Sequence, residues 1–221
     1  MRIGVLGTGV VGQTLGTRLV QAGQQVMLGS RTRDNEKAAG WARAAGAAHG
    51  TFAEAAAFAE AVLNCTSGMK SLEALEAAGE GNLEGKILVD VANPLDFSHG
   101  MPPTLAICNT DSLGETIQRR FPGAHVVKTL NTMNAGVMVE PARVPGRHNV
   151  FLSGNDSAAK AEVARWLREW LGWPAEAILD LGDITTARGT EMLLPVWLRL
   201  MFALGTPEFN FHIAGAPAEP R

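Results

Sequence analysis

Three glycines stand near the start of the chain in the run Gly7-Thr8-Gly9-Val10-Val11-Gly12, directly behind the apolar run Ile3 to Leu6. A G-x-G-x-x-G spacing between a strand and a helix suits a dinucleotide pyrophosphate. The first glycine makes the tight turn, the second lets phosphates approach the backbone, and the third lets the helix pack closely on the strand. The helix expected from about Val10 to Ala22 then offers N–H donors and a positive dipole end to the phosphates. A glycine-rich turn without a ligand is the alternative reading of the same residues.

The end of the next strand discriminates between dinucleotides. An NAD site usually places a carboxylate about 20 residues past the glycines, on the ribose 2′-hydroxyl, and that charge repels a 2′-phosphate. Here the chain reads Gly29-Ser30-Arg31-Thr32-Arg33, with no acid before Asp34. Ser30 and Thr32 offer hydroxyls, and Arg31 offers a planar fork that holds phosphate oxygens and stacks on adenine. NADP(H) is therefore expected over NAD(H). Arg33 and Lys37 stand behind Arg31 as candidates that also fit a solvated basic loop.

Three further strand ends carry small polar groups: Asn64-Cys65-Thr66-Ser67-Gly68, then Asn93-Pro94 after Val91-Ala92, then Asn131-Thr132-Met133-Asn134. In open parallel sheets ligands bind outside the carboxyl ends of the strands, so these stretches are candidates for cofactor contacts (Cys65, Thr66, Asn93, Pro94) and substrate contacts (Asn131 to Asn134). Ordinary turn chemistry is the competing explanation. No obvious acid/base machinery accompanies them, and the chain has no tyrosine. Hydride transfer between two bound rings fits such a site, because it needs proximity and orientation more than a strong acid or base. Lys128, on a strand end with His125 nearby, reads as a lysine that snorkels outward rather than as a proton donor.

The elements that must hold these residues follow from short apolar runs: Ile3 to Leu6, Val26 to Leu28, Ala61 to Leu63, Ile87 to Val91, Val126 to Leu130, Val150 to Leu152 and Ile178 to Leu181. Helical stretches separate them, and runs apolar throughout suit strands covered on both faces. The expectation is an α/β fold, a doubly wound and mainly parallel Rossmann sheet over residues 1–182, with a small helical segment and tail over 183–221. Thr51 with Glu54 and Ser112 with Glu115 match capping boxes. The proline-rich stretch from Asn93 to Asp111 reads as a long loop. One helix is expected from Thr185 to Leu204, kinked near Glu191 by Pro195, with residues 214–221 frayed.

Composition limits the partners. In 221 residues, 46% are hydrophobic and the net charge is -3, so the chain can bury a core and shows no basic bias toward nucleic acid. Two cysteines, Cys65 and Cys108, without Cys-x-x-Cys spacing, argue against a disulfide scaffold or a metal site and fit a reducing, cytoplasmic location. The longest apolar stretch, Met192 to Leu204, is interrupted by Pro195 and Arg199 and is too short for the roughly 20 residues of a membrane span. Its apolar residues cover more than one face, which predicts a homodimer through the C-terminal helix.

Taken together, Gly7 to Gly12, Gly29-Ser30-Arg31, Asp90-Val-Ala-Asn93-Pro94 and Val127-Lys-Thr-Leu-Asn131-Thr132-Met133-Asn134 resemble the deazaflavin (coenzyme F-420) dependent NADP oxidoreductase family, over roughly residues 1 to 205. The same domain type is similar to the cytoplasmic reductase portion of transmembrane ferric reductases, which use NADPH and a flavin. The resemblance implies hydride transfer between NADP(H) and a deazaflavin or flavin in a crevice between the Rossmann domain and a C-terminal helical part. It also implies that Thr8, Ser30 and Arg31 take the 2′-phosphate end, that Val10 and Val11 lie by the pyrophosphate, and that Asn93 and Pro94 lie near the nicotinamide. Asn131 or Asn134 is then available to hydrogen-bond the edge of the acceptor ring. Two alternatives remain at this point: a reductase of a small imine or carbonyl, similar in its N-terminal motif to pyrroline-5-carboxylate reductase, and a non-catalytic NADP(H) sensor.

Overall fold

Strands that are apolar on both faces need cover on both faces, and the computed structural model, which describes residues 1–215, supplies it. Among the described residues the strands are β1 (Arg2–Leu6), β2 (Gln25–Ser30), β3 (Ala48–Thr51), β4 (Ala61–Asn64), β5 (Ile87–Asp90), β6 (Leu95–Asp96), β7 (Thr104–Leu105), β8 (His125–Thr129), β9 (Val150–Ser153) and β10 (Ile178–Asp180). The helices are α1 (Val10–Gln21), α2 (Glu36–Ala45), α3 (Phe52–Phe58), α4 (Ser71–Ala78), α5 (Glu80–Leu83), α6 (Leu113–Arg120), α7 (Ala135–Val139), α8 (Ser157–Glu169), α9 (Ala187–Met192) and α10 (Leu194–Leu204).

Eight strands form one sheet in the order β10-β9-β8-β5-β4-β1-β2-β3. Neighbours from β3 to β8 pair in parallel, β9 runs antiparallel to β8, and β10 is parallel to β9. This is the α/β, doubly wound, mainly parallel Rossmann sheet, with its change of winding direction between β1 and β4. Ile3, Val5, Leu63, Val89 and Val127 face a core made with α1, α2 and α8, which includes Trp41, Trp166 and Trp170. Leu6, Val62, Leu88 and Val126 face the other core, made with α3, α4 and α6. Alternate residues of each strand thus enter different cores, which is why the runs read as continuously apolar.

Local signals set several helix starts. Thr51 and Glu54 form the expected capping box on α3. At α6 the Ser112 hydroxyl accepts from Glu115 N, but the Glu115 carboxylate takes the Ser112 hydroxyl and the Arg188 guanidinium instead of the Ser112 N–H, which goes to Asp111. Between Asn93 and Asp111 the expected loop contains the short antiparallel pair β6 and β7. No apolar run marks β3, an edge strand whose sequence is Ala-His-Gly-Thr.

The C-terminal segment departs from the single kinked helix. A 3-10 turn, Ile184–Thr186, leads into α9, and α10 begins anew after Leu193 with Pro195 in its first turn. A proline there has no N–H for the Glu191 carbonyl and its ring crowds that carbonyl, so the chain breaks where a bend was expected. Ile184 and Ala187 belong to the second core, so the segment is packed on the sheet domain from its first residues. Of the stretch expected to fray, 216–221 lie outside the described residues. Among the described residues no helix is long and apolar enough to cross a membrane, and no cluster of His, Cys, Asp or Glu could hold a metal ion.

Candidate functional site

The glycine turn is fixed by close approach. Gly7 has φ of 118° and donates its N–H to Gly29 O; a Cβ at Gly7 would lie 2.6 Å from Cys65 O, and one at Gly12 would lie 2.1 Å from Gly7 O. Only glycine fits either position. At Gly9 a Cβ would meet nothing within 4 Å, so the open side of the turn lies there. Gly9 caps α1 without a side-chain bond, and no acid stands in the first turn. The N–H groups of that turn are therefore left for a ligand, with a favourable dipole for an anion. Thr8 uses its carbonyl to accept from Gln13; Val10 is exposed at the helix start, and Val11 packs partly on the core.

At the end of β2 the two arginines differ. Arg33 pairs with Glu54 of α3, whereas Arg31 is exposed and makes no ion pair or hydrogen bond among the described residues. Ser30 is buried, and its hydroxyl donates to Thr32 O at 2.5 Å, which shapes the turn that presents Arg31; Thr32 itself is exposed. An acid-free helix start and an unpaired guanidinium at these two places fit a 2′-phosphorylated dinucleotide. When bound, such a group would give or take the hydride at its nicotinamide; the protein supplies its seat.

The remaining strand ends are joined by a hydrogen-bonded chain. Asn64, the last residue of β4, donates to Asp90 Oδ1 (2.9 Å) and Ser71 Oγ (3.0 Å), and its own oxygen accepts from the Thr66 hydroxyl (2.7 Å). Asp90, the last residue of β5, also accepts from Ala92 N, and Gly68 packs against the Asn93 carbonyl. Asn93 and Asn131 bond reciprocally: Asn93 Nδ2 donates to Asn131 O (2.8 Å) and Asn131 Nδ2 to Asn93 Oδ1 (2.9 Å). Leu130, just before Asn131, has φ of 62°, a left-handed conformation costing a non-glycine residue roughly 1–2 kcal/mol. It turns the chain sharply out of β8. Pro94, Asn131, Thr132 and Met133 are buried, with Met133 in the core beside α1. Asn134 caps α7 by accepting from Val137 N, and donates to Pro207 O. The Cys65 side chain points into the core, and burial pushes its thiol far above the ordinary value, so its backbone is what faces Gly7.

Lys128 does not snorkel. Its side chain, like those of Asp90 and Glu191, is 0% exposed, and its ammonium donates to Asp90 Oδ2 (2.8 Å), Glu191 Oε1 (2.8 Å) and Ala92 O (2.5 Å). Burial works against the charged lysine, but the two carboxylates outweigh it and hold its pKa above the ordinary value. Glu191 in turn accepts from Leu113 N and Gly114 N at the start of α6. Asp90 and Glu191 were not singled out as functional from the sequence. The sequence carried only a partial signal, an acid and a lysine each near the end of an apolar run; the register of β5 against β8, in which Asp90 and Lys128 are paired positions, is what brings the opposite charges together inside the sheet.

Fold and site together define an NADP-dependent oxidoreductase. A family model described as "NADP oxidoreductase coenzyme F420-dependent" matches residues 2–94. A solved structure from Arthrobacter sp. FB24, of a candidate F420-dependent NADP reductase, is 57% identical with a TM-score of 0.91, covering 97% of this chain and 99% of that one. The F420-dependent NADP reductase of Methanothermobacter marburgensis is 27% identical over 217 residues, 90% of this chain and 92% of that protein. Metalloreductase STEAP3 of Rattus norvegicus is 32% identical over 213 residues, 92% of this chain; the chain spans only 39% of that relative's length. The chain belongs to the coenzyme F420-dependent NADP oxidoreductase family.

Proposed function

We propose that this protein seats NADP(H) along the carboxyl edge of β2, β1, β4 and β5 and transfers hydride between its nicotinamide and a flavin-type ring, the deazaflavin coenzyme F420 or a flavin. The observation that carries the cofactor half is the pairing of an uncapped, acid-free α1 start with the unpaired Arg31. Gly9, Val10, Val11 and Gly12 lie by the pyrophosphate and Thr8, Ser30, Arg31 and Thr32 by the 2′-phosphate end, while Arg33 stands beside them paired with Glu54. Cys65 and Thr66, through their backbone, and Asn93 and Pro94 border the nicotinamide. Asn131 and Asn134 stand on the acceptor side, with Thr132 and Met133 buried behind them; the Asn93–Asn131 pair fixes the amides and Asn134 ties the turn to Pro207 beyond α10.

The acceptor half rests on family membership and on a proposed placement of the C-terminal segment opposite the nicotinamide. That segment holds Trp197, largely buried and stacked on Phe209 at 5.3 Å, apolar surroundings of a kind that suit a planar heteroaromatic ring. The protein's part is to bind, orient and exclude water; no side chain of the crevice is assigned a proton transfer. Single-turnover oxidation of NADPH, followed by nicotinamide absorbance against F420, FMN, FAD, ferric chelates, quinones and small imines, tests the reading. Fastest turnover with a deazaflavin or flavin is expected. A small imine or keto acid reduced far faster than either overturns it, and tight NADPH binding with no turnover marks a sensor. We further propose a homodimer through the exposed side of α10, around which Val196, Phe202 and Leu204 are 50–56% exposed.

A further inference from the structure

Three charged side chains without solvent contact meet in one place, and the hydride-transfer reading gives none of them a task. Lys128 spends all three of its N–H bonds, on Asp90, Glu191 and the Ala92 carbonyl, so it has none left for a ligand. Those bonds end on three separate stretches of chain: the end of β5, the turn before Asn93, and α9. Asp90 closes β5 and, through Asn64, reaches Thr66 at the end of β4. Ala92 is the residue before Asn93, and Asn93 is locked to Asn131. Glu191 belongs to α9 and also seats the start of α6. The C-terminal segment touches the crevice rim a second time where Pro207 O accepts from Asn134.

Stability is a poor reason to keep such a group. Taking ions out of water is costly, and well-packed apolar replacements of buried ion clusters are often at least as stable. An ammonium with three bonds does tie three separate stretches of chain to one atom.

We propose that Lys128 is a positioning residue: by holding the Ala92 carbonyl and Glu191 from one nitrogen, it sets the Asn93–Pro94 turn and the C-terminal wall at a fixed separation, and so fixes the gap that the hydride crosses. This rests on the cofactor and acceptor placement proposed above. A gap set this way is sensitive, because a misplacement of about 1 Å at a reacting centre can cost about 100-fold in rate.

The test compares wild type, Lys128→Arg, Glu191→Gln and the neutral triple variant Asp90→Asn/Lys128→Met/Glu191→Gln, the last chosen so that no buried charge is stranded. Melting temperature, NADPH dissociation constant, single-turnover hydride transfer to F420 or the best acceptor found, and the primary isotope effect with C4-deuterated NADPH are measured for each. The triple variant is expected to bind NADPH within about threefold of wild type, since the glycine turn and Arg31 are untouched, yet to transfer hydride about 10- to 100-fold more slowly with a larger isotope effect. Lys128→Arg should recover part of the rate. If the triple variant does not fold, Glu191→Gln decides, with slower transfer at unchanged affinity supporting the proposal. Unchanged transfer in a folded variant, or a rate loss matched by equal loss of NADPH affinity or folded fraction, overturns it while leaving the cofactor reading intact. Wild type that binds no NADPH, or moves no hydride to any acceptor, overturns both.

Discussion

Arg31 and Arg33 carry the same guanidinium two residues apart, and their neighbours give them different work. Arg33 is neutralised by Glu54, so its removal releases a carboxylate and a surface pair of little worth. Arg31 has no such partner and is the side chain that can tell NADPH from NADH. Arg31→Ala is expected to weaken NADPH binding by about 10- to 150-fold, the loss of about 1.5–3 kcal/mol of charge-assisted bonding, with NADH affinity little changed. Titration of both nucleotides checks this, and equal losses for the two would remove Arg31 from the 2′-phosphate site. The basic character of this turn was legible in the sequence because no acid precedes Asp34. That only one of the two arginines is unpaired was not, since Glu54 reaches Arg33 only through the packing of α3 beside β2.

At the scale of elements, the helix starts follow local rules and the C-terminal breaks follow local rules modified by packing. Thr51 and Glu54 satisfy each other's backbone donors at α3, as their spacing predicted. Thr51→Ala should cost about 1 kcal/mol, read as a fall of about 2–4 °C in melting temperature for a chain of this size; no change would mean that the packing of α3 between β1, β2 and α4 holds the helix without its cap. Ser112 and Glu115 have the same spacing, but Arg188 of α9 draws the Glu115 carboxylate aside. A capping pattern in sequence thus specifies where a helix begins, while the second carboxylate bond goes to whichever partner tertiary packing brings.

At the scale of the whole molecule, surface charge and exposed apolar area govern behaviour. Asp111 and Glu115 are held below the ordinary carboxylate range, chiefly by hydrogen bonds from Arg119 and Arg188, and Glu162 likewise by Arg165. A carboxylate whose folded pKa is depressed contributes stability above its unfolded pKa and loses it as pH falls through the folded value. Melting temperature should therefore hold from neutrality to about pH 5 and decline below it; a rise on acidification would contradict these pairings. Val196, Phe202 and Leu204 lie exposed on α10, and a second copy of the chain is the proposed cover. Sedimentation equilibrium at micromolar concentration should give twice the 23.4 kDa chain mass, and Phe202→Glu should shift it toward the monomer. A wild-type monomer, unchanged by NADPH, would count against the dimer.

By itself the sequence determined the glycine turn, the seven apolar strands of the main sheet, the doubly wound class and the basic end of β2, because each depends on residues close together in the chain: spacing, apolar runs, and the absence of an acid. It did not determine the edge strand β3, whose Ala-His-Gly-Thr carries no apolar run and is held by pairing with β2, nor the break at Leu193, which replaces the expected bend. Above all it did not determine the state of Lys128. A lysine near a strand end has long-range freedom in sequence terms; only the register of β5 against β8 and the return of α9 to the sheet edge bring Asp90 and Glu191 to its ammonium. Those contacts span 38 residues to Asp90 along the chain and reach Glu191 from a separate helix. Tertiary structure decided them because burying one charge requires its partners to arrive together, whichever part of the chain they come from.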